Sequence, residues 1–157
     1  MLKNPIVKNI LSAITVAGFG FILLNLAFLF DWLFQSAVIW FIKLFTLANP
    51  PMDWPWFPPI MHILFVLVIG LISWLVFQSK FGTLYKAIYM NVPLAVVFLT
   101  LGIFFYRWPI IAYFLGGLFA LGVLYYFNRT KQPWLYYFTL ILIGLMMLIV
   151  GILGVEI

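Results

Sequence analysis

Four residues of this chain carry the groups from which acid–base or ligand chemistry is commonly assembled: the carboxylates Asp31 and Asp53, the imidazole His62 and the guanidinium Arg107. Two carboxylates beside an imidazole can move a proton or hold a cation, and a guanidinium can clamp an anionic headgroup. The four come from three separate segments, and no spacing brings them together. The plainer expectation is that they are headgroup-level or solvated side chains at helix ends, with ligand contact second and catalysis a distant third. His62 is expected to bond a nearby backbone carbonyl or Asp53.

The other chemistry-bearing positions are polar residues inside apolar runs. Asn25, Ser73, Thr100 and Thr139 are the deepest, with Ser12, Thr15 and Asn91 nearer one end. Asn25 is the foremost of these, because an unpaired carboxamide in hydrocarbon costs several kcal/mol. It is expected either to bond between helices or to line a ligand pocket. The ligand-binding set expected from sequence is therefore Asn25, Asp53, Trp54, Trp56, His62 and Arg107, with no catalytic or metal-ligating residue and no cofactor.

Composition bounds the chemistry tightly. With no cysteine and one histidine, thiol nucleophiles, Cys-ligated metals and bis-histidine haem are excluded within this chain. There is no phosphate-binding glycine loop, nucleophile elbow or HExxH sequence. The net charge of +5 comes from cations scattered between apolar runs, without the basic stripe of a nucleic-acid binder.

The elements that must position these residues follow from hydropathy. Of 157 residues, 68% are apolar and 7% charged, where soluble domains average about 25% charged. Mean hydropathy is +1.25. A chain this apolar is soluble only in lipid, where helices satisfy every backbone group internally. A spanning helix needs about 20 apolar residues. Spans are expected near 10–30, 59–78, 88–106, 109–127 and 133–154, giving an all-α, five-helix membrane bundle forming a single domain. Pro109 and Pro133 suit first helical turns, and Asn91-Val92-Pro93 resembles an N-cap that would start the third span nearer residue 92.

With a cytoplasmic N-terminus, Lys3, Lys8, Lys80, Lys86, Arg129 and Lys131 lie inside, and only Lys43 and Arg107 outside. That bias predicts a multi-pass protein of the cell membrane with its C-terminus outside. The first apolar run is longer than a signal peptide's and is read as uncleaved. Tyr and Trp near both ends of the spans predict two aromatic belts.

Residues 32–48 place Gln35, Ser36, Lys43 and Thr46 within one arc of about 100°, opposite Leu33, Ala37, Trp40, Phe41 and Leu44. This predicts an amphipathic helix lying in the outer interface, the alternative being a short sixth span. Five prolines within 49–59 predict an extended Pro/Trp-rich loop. Its Asp53-Trp54-Pro55-Trp56-Phe57-Pro58-Pro59 sequence, together with chain size, superficially resembles the tryptophan-rich sensory protein family. The family's later Trp- and Asn-containing helix patterns have no counterpart, so neither function nor residues carry over.

Small residues mark close helix approach. Ala112, Gly116 and Ala120 form a small-xxx-small series, expected to pack inside the monomer or against a homo-oligomeric or membrane-protein partner. Two functions follow. One is a non-catalytic accessory, scaffold or partner-binding membrane component. The other is a binding or transport module for an apolar or amphipathic small molecule or lipid.

Overall fold

A computed structural model describes residues 4–45 and 57–153, the side chain of Pro58 aside. It is an all-α membrane bundle of five helices: α1 (Pro5–Phe45), α2 (Phe57–Gln78), α3 (Thr83–Phe104), α4 (Pro109–Arg129) and α5 (Trp134–Leu153). All five are long and apolar enough to cross a bilayer. Asp53, Trp54 and Trp56 of the expected site, with most of the Pro/Trp loop, lie outside the described residues.

The first span and the expected interfacial helix are one element. α1 runs unbroken for 41 residues, about 60 Å at the α-helical rise. That is twice the roughly 30 Å hydrocarbon core. The reason is local: residues 28–36 contain neither glycine nor proline, and Gln35 Nε2 donates to Asp31 Oδ2 at 3.0 Å across one turn. With no breaker, backbone hydrogen bonding continues through the expected boundary. The last three residues of that segment, 46–48, lie outside the described residues.

The third span starts earlier than the Asn-Val-Pro triplet predicts. α3 begins at Thr83 behind an extended Gly82, and Pro93 sits inside it. Proline removes the backbone donor that would serve the Tyr89 carbonyl, yet the helix runs on through it to Phe104; beside it, Asn91 Nδ2 donates to the Ile88 carbonyl at 2.9 Å. Lys86, expected in the connector, lies in α3 and its Nζ donates to the Phe77 carbonyl at 2.7 Å. A cation on a helix's last carbonyls satisfies orphan acceptors and complements the dipole.

The α4–α5 turn is a Schellman motif. Gln132 N donates to the Phe127 carbonyl at 2.9 Å and Lys131 N to that of Asn128 at 3.3 Å. Lys131 adopts φ 51°, where glycine is the usual occupant. At the opposite end, Pro109 opens α4 behind Trp108, as its sequence position predicts.

α3 is the central element. One core cluster joins Val16 and Leu24 of α1, Ala87, Met90, Leu94 and Ala95 of α3, Phe127 of α4, and Leu135, Tyr136, Leu140 and Ile143 of α5. A second joins Phe65 and Ile69 of α2 to Val92 and Val96 of α3, with Leu23, Ala27 and Phe34 of α1 against it. Lipid offers no hydrophobic contrast to drive this packing, so close approach and polar clips must hold it.

Those clips all involve α3. Asn91, 1% exposed, lies against Gly20 of α1. Its Nδ2 reaches the Val16 carbonyl at a long 3.5 Å as well as its own helix. Thr139 of α5 donates to the Leu135 carbonyl at 2.9 Å and approaches that of Ala87 on α3 at 3.3 Å. Ser73 of α2 donates to the Ile69 carbonyl at 2.7 Å, so the Tyr89 hydroxyl donates to Ser73 Oγ at 3.1 Å. His62 meets Thr100 at 3.0 Å. Among the described residues no side-chain hydrogen bond ties α4 to another helix; apolar contact and short connectors hold it.

Candidate functional site: a glycine-lined cleft between three helices

The described members of the expected site do not converge. Asn25 projects away from the bundle, and its Nδ2 donates back to the Phe21 carbonyl one turn earlier at 2.8 Å. Among the described residues it bonds to no other helix. The periodicity explains this: at about 100° per residue, position 25 lies opposite Val16, Leu23, Ala27 and Phe34, which face the cores.

His62 does face the bundle, but its partner is a side chain of α3 rather than a carbonyl. Thr100 Oγ1 donates its one proton to the Val96 carbonyl at 2.6 Å. The His62 Nε2–H must therefore donate to Thr100 Oγ1. The pair clips α2 to α3. Thr100→Val should destabilise the bundle by about 1–3 kcal/mol by orphaning that donor. The double variant His62→Leu/Thr100→Val should recover most of the loss in detergent thermal-unfolding measurements.

Asp31 is partly buried. Its Oδ1 has no hydrogen-bond partner among the described residues, whereas Oδ2 accepts from Gln35. Arg107 is exposed between α3 and α4. Its Nε donates to the Tyr106 hydroxyl at 2.7 Å, and the guanidinium carbon lies 5.5 Å from that ring's centroid. No group of three or more His, Asp or Glu able to hold a metal occurs among the described residues.

A cavity lies elsewhere, between α3, α4 and α5 at the Arg107 end. It has a volume of about 630 Å³ and is a half-open groove rather than a sealed void. Ligand sites commonly fall between roughly 300 and 1,000 Å³. Its walls are Phe98 to Tyr106 on one side, Pro109, Tyr113 and the Ala112/Gly116/Ala120 face of α4 on the second, and Gly144 to Gly151 of α5 on the third. The small-residue series borders this space, and within it Gly116 is buried, with a β-carbon there 3.5 Å from the Phe98 ring of α3.

Glycine is what keeps the groove open. Gly102, Gly116, Gly117, Gly144 and Gly151 all line it. A β-carbon added at Gly102, Gly117 or Gly144 would meet nothing within 4 Å. At Gly151 it would strike the Tyr113 hydroxyl at 2.6 Å, so that glycine lets the phenol lie across the α5 backbone. Each helical glycine costs roughly 0.5–1 kcal/mol relative to alanine. At the three open positions no neighbouring atom requires that cost.

Phe98 lines the groove and stacks edge-on with Phe119 at 5.5 Å, while Phe19, Phe21 and Phe114 are exposed. The groove was hidden from sequence reasoning because small-xxx-small series look the same whether they bury against a helix or border a space. A signal was present: glycines on both α4 and α5, which together exceed what one tight contact uses.

The chain matches no known family, no curated protein and no solved structure. Function therefore has to be read from the groove.

Proposed function

We propose that this protein is a non-catalytic membrane protein that binds an apolar or amphipathic molecule, of which a lipid acyl chain is the best fit, in the cleft between α3, α4 and α5. One observation carries this reading: a groove of about 630 Å³ within the membrane-spanning layer, walled by hydrocarbon and bare glycine backbone. Such a surface offers a flexible chain dispersion contacts along its length and asks for no hydrogen bonds in return. Water gains nothing there, because an apolar cavity stays dry. At the groove's mouth Tyr106 is a wall residue and Arg107 its neighbour, so an amphipathic ligand could set an anionic headgroup on the guanidinium.

α4 suits the role of movable wall. With only Gly116 and Phe127 buried and no polar clip to its neighbours, it can yield to an entering chain at little cost. Delipidated protein should gain thermal stability from a phospholipid or free fatty acid, and native mass spectrometry should show a retained lipid. A broad lipid panel that leaves the melting temperature unmoved would overturn the reading.

A second reading is supported by the same glycines. A groove floored by backbone also accepts a helix from a membrane partner, which is how an accessory or scaffold component would work. A reproducible co-purifying membrane protein, in place of lipid, would favour it.

The orientation we propose places Lys8, Lys80, Lys86, Arg129 and Lys131 in the cytoplasm and the Arg107 end outside, in the cell membrane, with aromatic belts at both faces. The absence of native cysteine makes this directly testable. In intact cells an impermeant maleimide should label Arg107→Cys and spare Lys80→Cys; the reverse pattern would invert the topology.

A further inference from the structure

The face of α1 turned away from the bundle carries a polar residue that the monomer does not use. Asn25 lies inside the apolar span, six residues before Asp31, and is exposed. One proton of its Nδ2 goes to the Phe21 carbonyl. The second proton and Oδ1 have no partner among the described residues. In hydrocarbon such groups must find a partner, since no water is at hand.

We infer that α1 is the interface of a parallel homodimer in which Asn25 of one copy bonds reciprocally to Asn25 of the other. Three observations lead to a second copy of this chain. First, a carboxamide is both donor and acceptor, so it is complementary to itself. Under a two-fold axis along the membrane normal, residues near the axis meet their own counterparts, and identical insertion makes the helices parallel.

Second, Asn25 sits within a seam of alternating three- and four-residue steps: Gly18, Ile22, Asn25, Leu29, Trp32 and Ser36. All six are exposed. The 3.5-residue period is that of a two-stranded coiled coil, in which a single asparagine sets register. Nothing lies within 4 Å of a β-carbon at Gly18, so the backbones can approach closely there.

Third, α1 outruns the bundle. Beyond Phe34 no α1 residue belongs to either core cluster, yet Trp40, Phe41, Leu44 and Phe45 are large, apolar and exposed. A helix about 60 Å long lacks neighbours of matching length within its own bundle; an identical α1 supplies one. This surface lies on α1, whereas the proposed lipid cleft is built by α3, α4 and α5, so neither inference depends on the other.

The test uses the full chain in native membranes, with single cysteines added to the cysteine-free background. Under oxidation, Ile22→Cys and Leu29→Cys should give a disulfide dimer of twice the chain mass, while Phe19→Cys and Leu26→Cys, exposed but outside the seam, should not. Adding Asn25→Leu to Ile22→Cys should lower the dimer yield roughly three- to tenfold, the change an interhelical hydrogen bond in a membrane carries. Asn25 touches no core residue, so the thermal stability of that variant in detergent should match the parent.

Equal cross-linking at all four positions, or none at positions 22 and 29, would overturn the inference. So would an adduct whose mass is not twice that of the chain. Retention of full cross-linking in Asn25→Leu would overturn the carboxamide's role in the interface.

Discussion

Replacing Gly20 by alanine is expected to destabilise the bundle more than any other single-methyl change, by on the order of 1–3 kcal/mol. The added β-carbon would lie 2.6 Å from Asn91 Cγ and 3.1 Å from Asn91 Oδ1. Those atoms cannot retreat. Asn91 is itself buried, its Nδ2 held by the Ile88 carbonyl and within 3.5 Å of those of Val16 and Ala87, both buried residues. Either α1 moves off α3 or the carboxamide leaves its bonds and is stranded in a low-dielectric core. The loss should appear as a lowered melting temperature in detergent. Shortening the obstacle gives the check: in Gly20→Ala/Asn91→Ala the new methyl occupies vacated space, so the double variant should be more stable than the sum of the single changes implies. Strict additivity would mean that the Gly20–Asn91 contact does not hold α1 to α3.

Filling the cleft is expected to have the largest functional effect. In Gly117→Leu or Gly144→Leu the side chain leaves the helix into open groove, because a β-carbon at either position meets nothing within 4 Å. The fold should survive. Exchanging the more flexible glycine backbone for leucine adds helix propensity of somewhat under 1 kcal/mol. A bound chain, however, must shift or be expelled. A steric conflict of about 2–3 kcal/mol corresponds to a thirty- to hundredfold weaker affinity. Lipid retained by the parent in native mass spectrometry should be absent from both variants, while their unliganded melting temperatures stay level or rise. Variants that keep their lipid would place it elsewhere on the protein. Gly144→Ala provides a graded control, since it adds one methyl group to the wall and should raise stability while weakening binding only modestly.

Both results depend on the same physical contrast. At Gly20 a missing side chain permits another residue to enter, and the space is full. At Gly117 and Gly144 a missing side chain leaves the space empty. Hydrogen atoms in equivalent places thus have opposite consequences, one for stability and one for binding.

That contrast also separates what was legible in the residues from what was not. Five spans, the all-α class and the short α3–α4 and α4–α5 connections follow from hydropathy, proline placement and the scarcity of charge, because each depends on a stretch of chain and its solvent alone. The spans differ from their expected limits mainly where a local signal competed with propagation. Asn91-Val92-Pro93 looks like a helix start, but Pro93 lies inside α3, which begins at Thr83 and runs through it to Phe104. Residues 32–45 look like a separate amphipathic helix, but nothing there stops α1.

The site was less legible. Asn25 and Asn91 have the same side chain and similar apolar surroundings in sequence, yet one faces outward and the other locks the core, a difference set by which face of its helix meets a neighbour. His62 could be assigned polar company but not Thr100, 38 residues away, because the pairing depends on how α2 crosses α3. The groove lies between three helices at the Arg107 end, where glycines leave space, while their opposite ends pack around Phe127 and Tyr136. Hydropathy and helix punctuation are properties of consecutive residues; rotation about a helix axis and the gap between helices arise from contacts among residues distant in the chain, and these came only with the packed bundle.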